Sequence, residues 1–555
     1  MVLPIEISWL PPSRAVIVEG GNDETMKRQE KSDNPVVPKG RRKPEASREG
    51  IGKGVTASED ASQLNLFEQT TENLKRRRDF KAPTRAGSSV QPDADRSASG
   101  RNKLFPCSST DKKDLPAMTM EEIADVSNLH IAFEQVKANR GSGGPDRQSV
   151  KDVTKQIDEV VPRLRSELLS GNYYPGMIRR VWIPKPGGGQ RGLGIPNVID
   201  RIVQQAFLQI MSPHYEATFH TSSHGFRPGR SCHTAIEEAK GHMEEGLIWV
   251  VDIDLEKFFD RVHHQRLTAK LETRISDKRV MTVIKRMLKA RVVLPDGLVE
   301  SVTEGVPQGG PLSPLLSNIV LDELDQELSR RGHRFVRYAD DCNIYVASQR
   351  AGERVMASIS GFISRRLRLK VNTGKSAVAQ PSERHFLGFS LKYDALDGSV
   401  TFALSARTKS RIRQRIVELT PRNWGDSIDA CLEDINSYLR GWMGFFHKCS
   451  EKEKYFLSTW DAHIRRRLRA IHLKHWKRRR FIYRKLIQLG VKAKTARMVF
   501  SGNRNLWVLS HCIAVDRGLN NKYFARIGLL SLSKLWDDWN PVQEIIAQGQ
   551  LLLPF

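Results

Sequence analysis

Cysteine is scarce in this sequence: six residues in 555, at Cys107, Cys232, Cys342, Cys431, Cys449 and Cys512, with no C-x-x-C pair among them. Scattered thiols of this kind suggest neither a zinc ribbon nor a disulfide framework, and they point to a reducing compartment. Long apolar runs are also missing. Met1 to Gly20 is interrupted by Pro4, Glu6, Pro11 and Pro12 and carries no apolar stretch of secretory-signal length, and no stretch is long enough to span a bilayer. The expectation is a cytoplasmic protein with no membrane partner. Acidic residues are in short supply as well: 63 Asp and Glu stand against 89 Lys and Arg, a formal charge of +26. A polyanion is therefore the first partner to consider, because basic side chains on phosphates release condensed counterions. Ten Trp, 21 Phe and 39% hydrophobic residues support real cores and argue against a mere charged tail.

Residues 1–116 are dominated by charged and small polar residues with Gly and Pro. Such a segment buries too little surface to offset its ordering entropy and is expected to be a mostly disordered extension. Its runs Arg41-Arg42-Lys43 and Lys75 to Arg78 read as solvated linker charges more readily than as RNA contacts. Helical apolar spacing begins at Met120–Val136 and returns at Val150–Ser170, Val198–Met211 and Thr234–Glu244. A hairpin is expected over Arg180–Ile195, turning at Gly187-Gly188-Gly189, and a buried strand over Leu247–Leu255. A Gly- and Pro-rich turn from Gly305 to Pro314 separates further helices. A second hairpin then pairs Phe335–Tyr338 with Cys342–Val346, and beyond Leu404 the chain turns helical and strongly basic. The order is α+β first, basic helices second.

Two of these strands end in aspartates: Asp252-Ile253-Asp254, and Tyr338-Ala339-Asp340-Asp341 at a hairpin tip. Hard divalent cations take oxygen ligands, and nucleotidyl transfer uses two of them a few ångströms apart. Neighbouring strands would make the carboxylates converge. Each piece alone is weak: Asp pairs favour turns through local hydrogen bonds, and a Tyr-x-Asp-Asp tetrapeptide arises by chance in about one chain of this length in twenty.

The order and flanks of the blocks raise the odds. Ile183-Pro184-Lys185-Pro186-Gly187-Gly188-Gly189-Gln190-Arg191 to Pro196, His224-Gly225-Phe226-Arg227-Pro228-Gly229-Arg230-Ser231, Asp254-Leu255-Glu256-Lys257-Phe258-Phe259-Asp260, Gly305 to Pro314, Tyr338-Ala339-Asp340-Asp341 and Phe386-Leu387-Gly388-Phe389 resemble the ordered reverse-transcriptase blocks of group II intron-encoded proteins. The resemblance implies a right-hand polymerase: fingers over 117–235, a palm with an antiparallel sheet over 236–395, a helical thumb or maturase domain over 396–470, and a small basic DNA-binding domain over 471–555. It implies an RNA-directed DNA polymerase that also assists splicing and retrohoming of its intron. Two Mg²⁺ ions, or Mn²⁺ in their place, would be held by Asp254, Asp340 and Asp341 with the Leu255 carbonyl, and Asp252 is the fallback. Lys185, Arg191, Phe259 and Gln308 would contact the incoming deoxynucleotide, Phe259 by crowding a 2′-hydroxyl, although a ring there also serves core packing.

For nucleic acid the candidates are Arg227 and Arg230, which equally well brace the fingers, and Gly309, whose small size suits a close approach or a tight turn. Arg440, Trp442, Arg466, Lys474 and Lys477 are further candidates, from basic stretches interleaved with aromatics; each aromatic there is more often interhelical packing. The implied partners are intron RNA, an RNA template with a DNA primer, deoxynucleotides and target DNA, with a homodimer left open. Two features depart from the family: the long N-terminal extension, and a C-terminal end without the paired cysteines and histidines of the endonuclease that some members carry. A domesticated relative in repair or defence, an RNA-folding factor with a silent polymerase site, and an RNA-only polymerase are the other readings. The retained aspartates and Phe259 disfavour the last two.

Overall fold

The computed structural model describes residues 118–184, 189–421, 424–502 and 505–541. The expected N-terminal extension, Lys185 and the turn residues Gly187 and Gly188 lie outside them. Among the described residues no helix is long and apolar enough to cross a membrane.

The centre of the fold is a four-stranded antiparallel sheet in the order β6-β7-β3-β8, built from β3 (Trp249–Ile253), β6 (Arg334–Tyr338), β7 (Asp341–Val346) and β8 (Ala377–Ala379). Side chains alternate along a strand, so the sheet separates two apolar cores. Val251, Ile253, Phe335, Cys342 and Ile344 join one core, with helices that include Val126–Ala138, Val198–Glu216 and Ser313–Arg330. Val250, Val336, Tyr338 and Tyr345 join the other, beneath the Cys232–Glu244 helix and the C-terminal helices. A second sheet, in the order β2-β1-β4-β5, holds the Gly-rich hairpin of β1 (Ile178–Pro184) and β2 (Gln190–Ile195). It adds β4 (Val292–Val293) and β5 (Val299–Glu300), a small hairpin that the sequence pattern does not announce.

Local chemistry splits two of the expected helices. Asp125 accepts hydrogen bonds from the Ser127 and Asn128 amides and starts a new helix at Val126, so Met120–Val136 is two elements. The Ser149–Asp152 capping box begins Val150–Lys155, which ends at Gln156 before Ile157–Leu169. In the opposite sense, the helix expected to end at Met211 runs to Glu216, carrying Pro213 near its end.

After β8, the Phe386-Leu387-Gly388-Phe389 turn joins the sheet to the helical part. Leu387 and Gly388 have φ of 52° and 90°, and the Gly388 carbonyl accepts from Thr408 Oγ1 at 2.7 Å. A Cβ at Gly388 would press on the Phe446 ring at 3.0 Å. The antiparallel pair β9 (Phe389–Tyr393) and β10 (Val400–Leu404) follows, and then Ala406–Leu419, Ile428–Phe446 and Lys454–Trp476. The helix Lys454–Trp476 ends at Lys477, whose φ is 55°. The domain boundaries expected after residues 235, 395 and 470 each fall inside an element: the helix Cys232–Glu244, the β9–β10 hairpin and the helix Lys454–Trp476.

Candidate active site

The β3–β7 register pairs Ile253 with Cys342, so Asp254 follows directly opposite Asp341, and Tyr338 pairs with Asp341 across the tip of β6–β7. Two strand ends thus bring Asp252, Asp254, Asp340 and Asp341 into one neighbourhood. Burial holds the Asp341 carboxyl well above the usual carboxylate range, and the charges of Asp340, Asp252 and Asp254 add to the effect. Asp340 is raised too, by burial first and with Asp254 contributing, while Arg191 draws it back. The Arg191 guanidinium of β2 is therefore a neighbour of the aspartate cluster.

Asp252 is already partnered. Arg384 donates to its Oδ2 from Nε at 2.9 Å and from Nη2 at 2.5 Å. Asp254 is less committed, with Lys375 Nζ at 3.7 Å from its Oδ2. Its backbone is fixed instead: the N–H donates to Ser376 Oγ at 3.0 Å and the carbonyl accepts from Asn372 N at 2.8 Å. The Leu255–Val371 bridge uses the Glu256 N–H and the Asp254 carbonyl. In a ladder, successive residues point their polar groups to opposite edges, so the Leu255 carbonyl is directed to the Asp341 side.

Three acidic side chains with hard oxygen donors and little compensating charge fit a divalent cation. Among the described residues no three His, Cys, Asp or Glu side chains are gathered as a finished ligand set. The aspartates are neighbours that act on one another's charge and not a closed cage.

The hairpin tip is strained and braced. Ala339 has φ of 56°, a left-handed conformation that a Cβ disfavours. Its carbonyl accepts from Arg337 Nη1 at 2.8 Å. Arg337 is fully buried, paired with buried Asp325 at 2.5 Å and hydrogen-bonded to Asn318 Oδ1 and Ser223 Oγ. Its backbone bridges Ser223, with His224 N–H donating to the Arg337 carbonyl at 2.8 Å. Gly225 then passes so close that a Cβ would overlap the Ala339 backbone nitrogen. The His224 to Ser231 block is thus the bracket of the aspartate hairpin. Arg337, Asp325, Asn318 and Gly225 were not singled out from sequence. The available signal was Asp325 itself, an acid on the apolar stripe of Ser313–Arg330 between Leu324 and Leu328.

The other candidates divide. Phe258 is buried while Phe259 remains half-buried, edge-on to it at 5.3 Å, with its carbonyl held by Val306 N–H at 2.7 Å. The Gln308 carbonyl accepts from Gly194 N–H of β2 at 2.7 Å. Gly309, with φ of 131°, leaves no room for a Cβ against the Gly194 carbonyl, so its close approach is to the β1–β2 hairpin. Arg227 is buried, paired with Glu216 at 2.6 Å and donating to the His220 and Ser223 carbonyls. It braces its loop and does not reach out to phosphates. Arg230 donates to the Thr221 carbonyl. Trp442 is 1% exposed, packed on Phe446 at 4.7 Å and edge-on to Trp460, and has no surface to offer a base. Its apolar ring faces the interhelical core, as most helical aromatics do. Arg440, Lys474 and Lys477 are exposed, and Arg466 lies over the Trp507 ring at 4.1 Å.

Comparison with known proteins finds two domain families along the chain. Residues 183–391 match the family described as reverse transcriptase (RNA-dependent DNA polymerase), and residues 409–488 match the group II intron maturase-specific domain. Protein YkfC of Escherichia coli K12 is 39% identical over 267 residues, 41% of this chain and 70% of that protein. The group II intron-encoded protein LtrA of Lactococcus lactis subsp. cremoris is 28% identical over 358 residues, 52% of this chain and 58% of that one. The putative COX1/OXI3 intron 2 protein of Saccharomyces cerevisiae is 28% identical over 349 residues, 52% of this chain and 41% of that protein. The chain spans about half the length of these last two relatives. With both domain matches in order and the aspartates at the strand ends, the chain belongs to the group II intron-encoded proteins that join a reverse transcriptase domain to a maturase domain.

Proposed function

We propose that this chain is an RNA-directed DNA polymerase that copies intron RNA into DNA, and a maturase that binds group II intron RNA to assist splicing and retrohoming. The observation that carries the reading is the meeting of Asp254, Asp340 and Asp341 at two paired strand ends, beside a cationic hairpin and a half-buried Phe259. Asp254, Asp340, Asp341 and the Leu255 carbonyl would hold two Mg²⁺ ions, which when bound supply Lewis-acid activation of the primer hydroxyl and charge neutralisation at the departing pyrophosphate.

The chain's own residues do the rest. Arg191, a planar fork, and Lys185, a point charge, bracket the hairpin turn and grip triphosphate oxygens. Phe259 presents its edge where a ribose 2′-hydroxyl would have to fit. Gln308, tied through its backbone to β2, lies against the nascent pair. Arg384 keeps Asp252 neutralised, so Asp254, the residue just past β3, is the carboxylate left for the reaction. In the proposed right-hand layout, β1–β2 belong to the fingers, the four-stranded sheet to the palm and the helices after Leu404 to the thumb, and the last helices would contact target DNA. Exposed Arg440, Lys474 and Lys477, with Arg466, give that half its cationic face. A homodimer remains compatible with this arrangement.

The test is DNA synthesis and RNA binding measured on the same preparations. Asp340→Asn with Asp341→Asn should abolish synthesis and leave RNA affinity nearly intact, whereas equal loss of both would make these carboxylates structural.

A further inference from the structure

We propose that a basic cavity of about 410 Å³ with Tyr174 in its wall, at the start of β1, binds an unpaired stretch of RNA, one base stacking on Tyr174 and neighbouring phosphates meeting Lys289 and Arg291. The cavity lies between Tyr174–Met177 and the end of the Lys278–Leu288 helix, with Thr282, Lys285, Arg286, Lys289 and Arg291 on its far wall. It is separate from the aspartate site. Its β1 end, Ile178, precedes Ile183 by five residues, and Ile183 is the partner of Arg191; that is about 17 Å along the strand.

The chain builds an outward-facing ring here. Tyr173 turns inward, 2% exposed, and its hydroxyl donates to Asp200 at 2.6 Å. Tyr174 turns outward and is 70% exposed. An exposed tyrosine is usually mobile, but this one is clamped: the Arg286 guanidinium lies 3.8 Å from the ring centroid and donates to the Tyr174 hydroxyl at 3.1 Å. Arg286 is itself fixed by the Gly171 and Tyr173 carbonyls at 2.7 and 2.8 Å. One face of the ring is covered by a cation and the ring is held open to solvent, which is a stacking platform already ordered before any base arrives.

The cations divide by what they already do. Lys285 pairs with Glu272 at 2.6 Å and, with Arg286, complements the negative end of the helix. Lys289 and Arg291 are exposed and have no side-chain hydrogen bond or ion pair with any described residue. They line the same cavity as Tyr174 and Met177, an exposed thioether that suits a base edge. Aromatic platform, free cations and a volume that holds a nucleotide point to single-stranded RNA more than to a duplex, whose bases are stacked on each other and offer only phosphates.

The inference deepens the reading of the chain as an RNA-copying enzyme, and its test separates the two. Full-length wild type, Tyr174→Phe, Tyr174→Ala and the pair Lys289→Gln with Arg291→Gln are titrated with labelled unpaired RNA and with duplex RNA across a salt series. Tyr174→Ala should bind unpaired RNA about tenfold more weakly, with Tyr174→Phe close to wild type and duplex affinity unchanged. The lysine–arginine pair should make the salt slope for unpaired RNA shallower by about 1.4, the value for two lost phosphate contacts. Primer–templates with short and long 5′ overhangs then separate the sources. A defect seen only with the long overhang identifies the template strand, and one seen only with free RNA identifies a separate RNA. Extension on the short overhang should be unchanged, so its absence in the wild type would sink the polymerase reading without touching this one. Wild-type RNA affinity and slope in all the variants would overturn the proposal and leave the cavity to a protein partner.

Discussion

Arg337 and Asp325 form an ion pair at 2.5 Å with both side chains fully buried, directly behind the strand end that carries Asp340 and Asp341. Removing one partner leaves the other charge without compensation, at a cost of about 3–5 kcal/mol. Arg337→Leu should therefore lower stability by that amount in urea unfolding. It should also slow nucleotide incorporation, because the Ala339 carbonyl loses its donor. An unchanged unfolding midpoint would mean the pair is dispensable.

Gly225 makes a second, more local prediction. Gly225→Ala pushes a methyl group into the Ala339 backbone, and relief requires the hairpin tip to move. Since a misplacement of about 1 Å can cost on the order of a hundredfold in rate, incorporation should fall at least tenfold with the fold retained. Circular dichroism and single-turnover kinetics on one preparation check both halves.

The aspartates were legible because their chemistry is local: carboxylates at the ends of apolar strands, in a fixed order with Phe258-Phe259 and the Gly-Pro turn. The bracing was not. Arg337 alternates with Val336 and Tyr338 like a solvent-facing strand residue, and its partner lies on a helix 12 residues earlier. Arg227 and Trp442 each carried two readings in the sequence, and both side chains are buried. Charge and aromaticity say what a side chain can do but not which way it turns, and tertiary packing turned these two inward. The small β4–β5 hairpin is two residues on each strand, shorter than any periodicity can register.

Phe259 should set sugar selectivity. Phe259→Ala removes the half-buried ring and should raise ribonucleotide incorporation relative to deoxynucleotide by about tenfold or more, read as the ratio of kcat/KM values. A ratio that does not move assigns the ring to packing against Phe258 alone.

His472 gives the helical half an acid limit. It is buried, 6% exposed, and burial lowers its pKa to about 4. The unfolded chain binds the proton more readily between that value and the ordinary 6.5, so stability is fully present above about pH 6.5 and is lost as the pH falls toward 4. The loss approaches about 3 kcal/mol. Thermal unfolding should drop from pH 7 to pH 5 in the wild type and drop less in His472→Gln; parallel curves would contradict the assignment.

The most direct measurement is single-nucleotide primer extension on an RNA template with Mg²⁺, comparing wild type with Asp254→Asn. The account predicts incorporation by the wild type and a loss of about a thousandfold or more in the variant, in line with removal of a group acting on the transition state. Equal incorporation by both proteins would contradict it, because the Asp254 carboxylate would then have no part in the reaction.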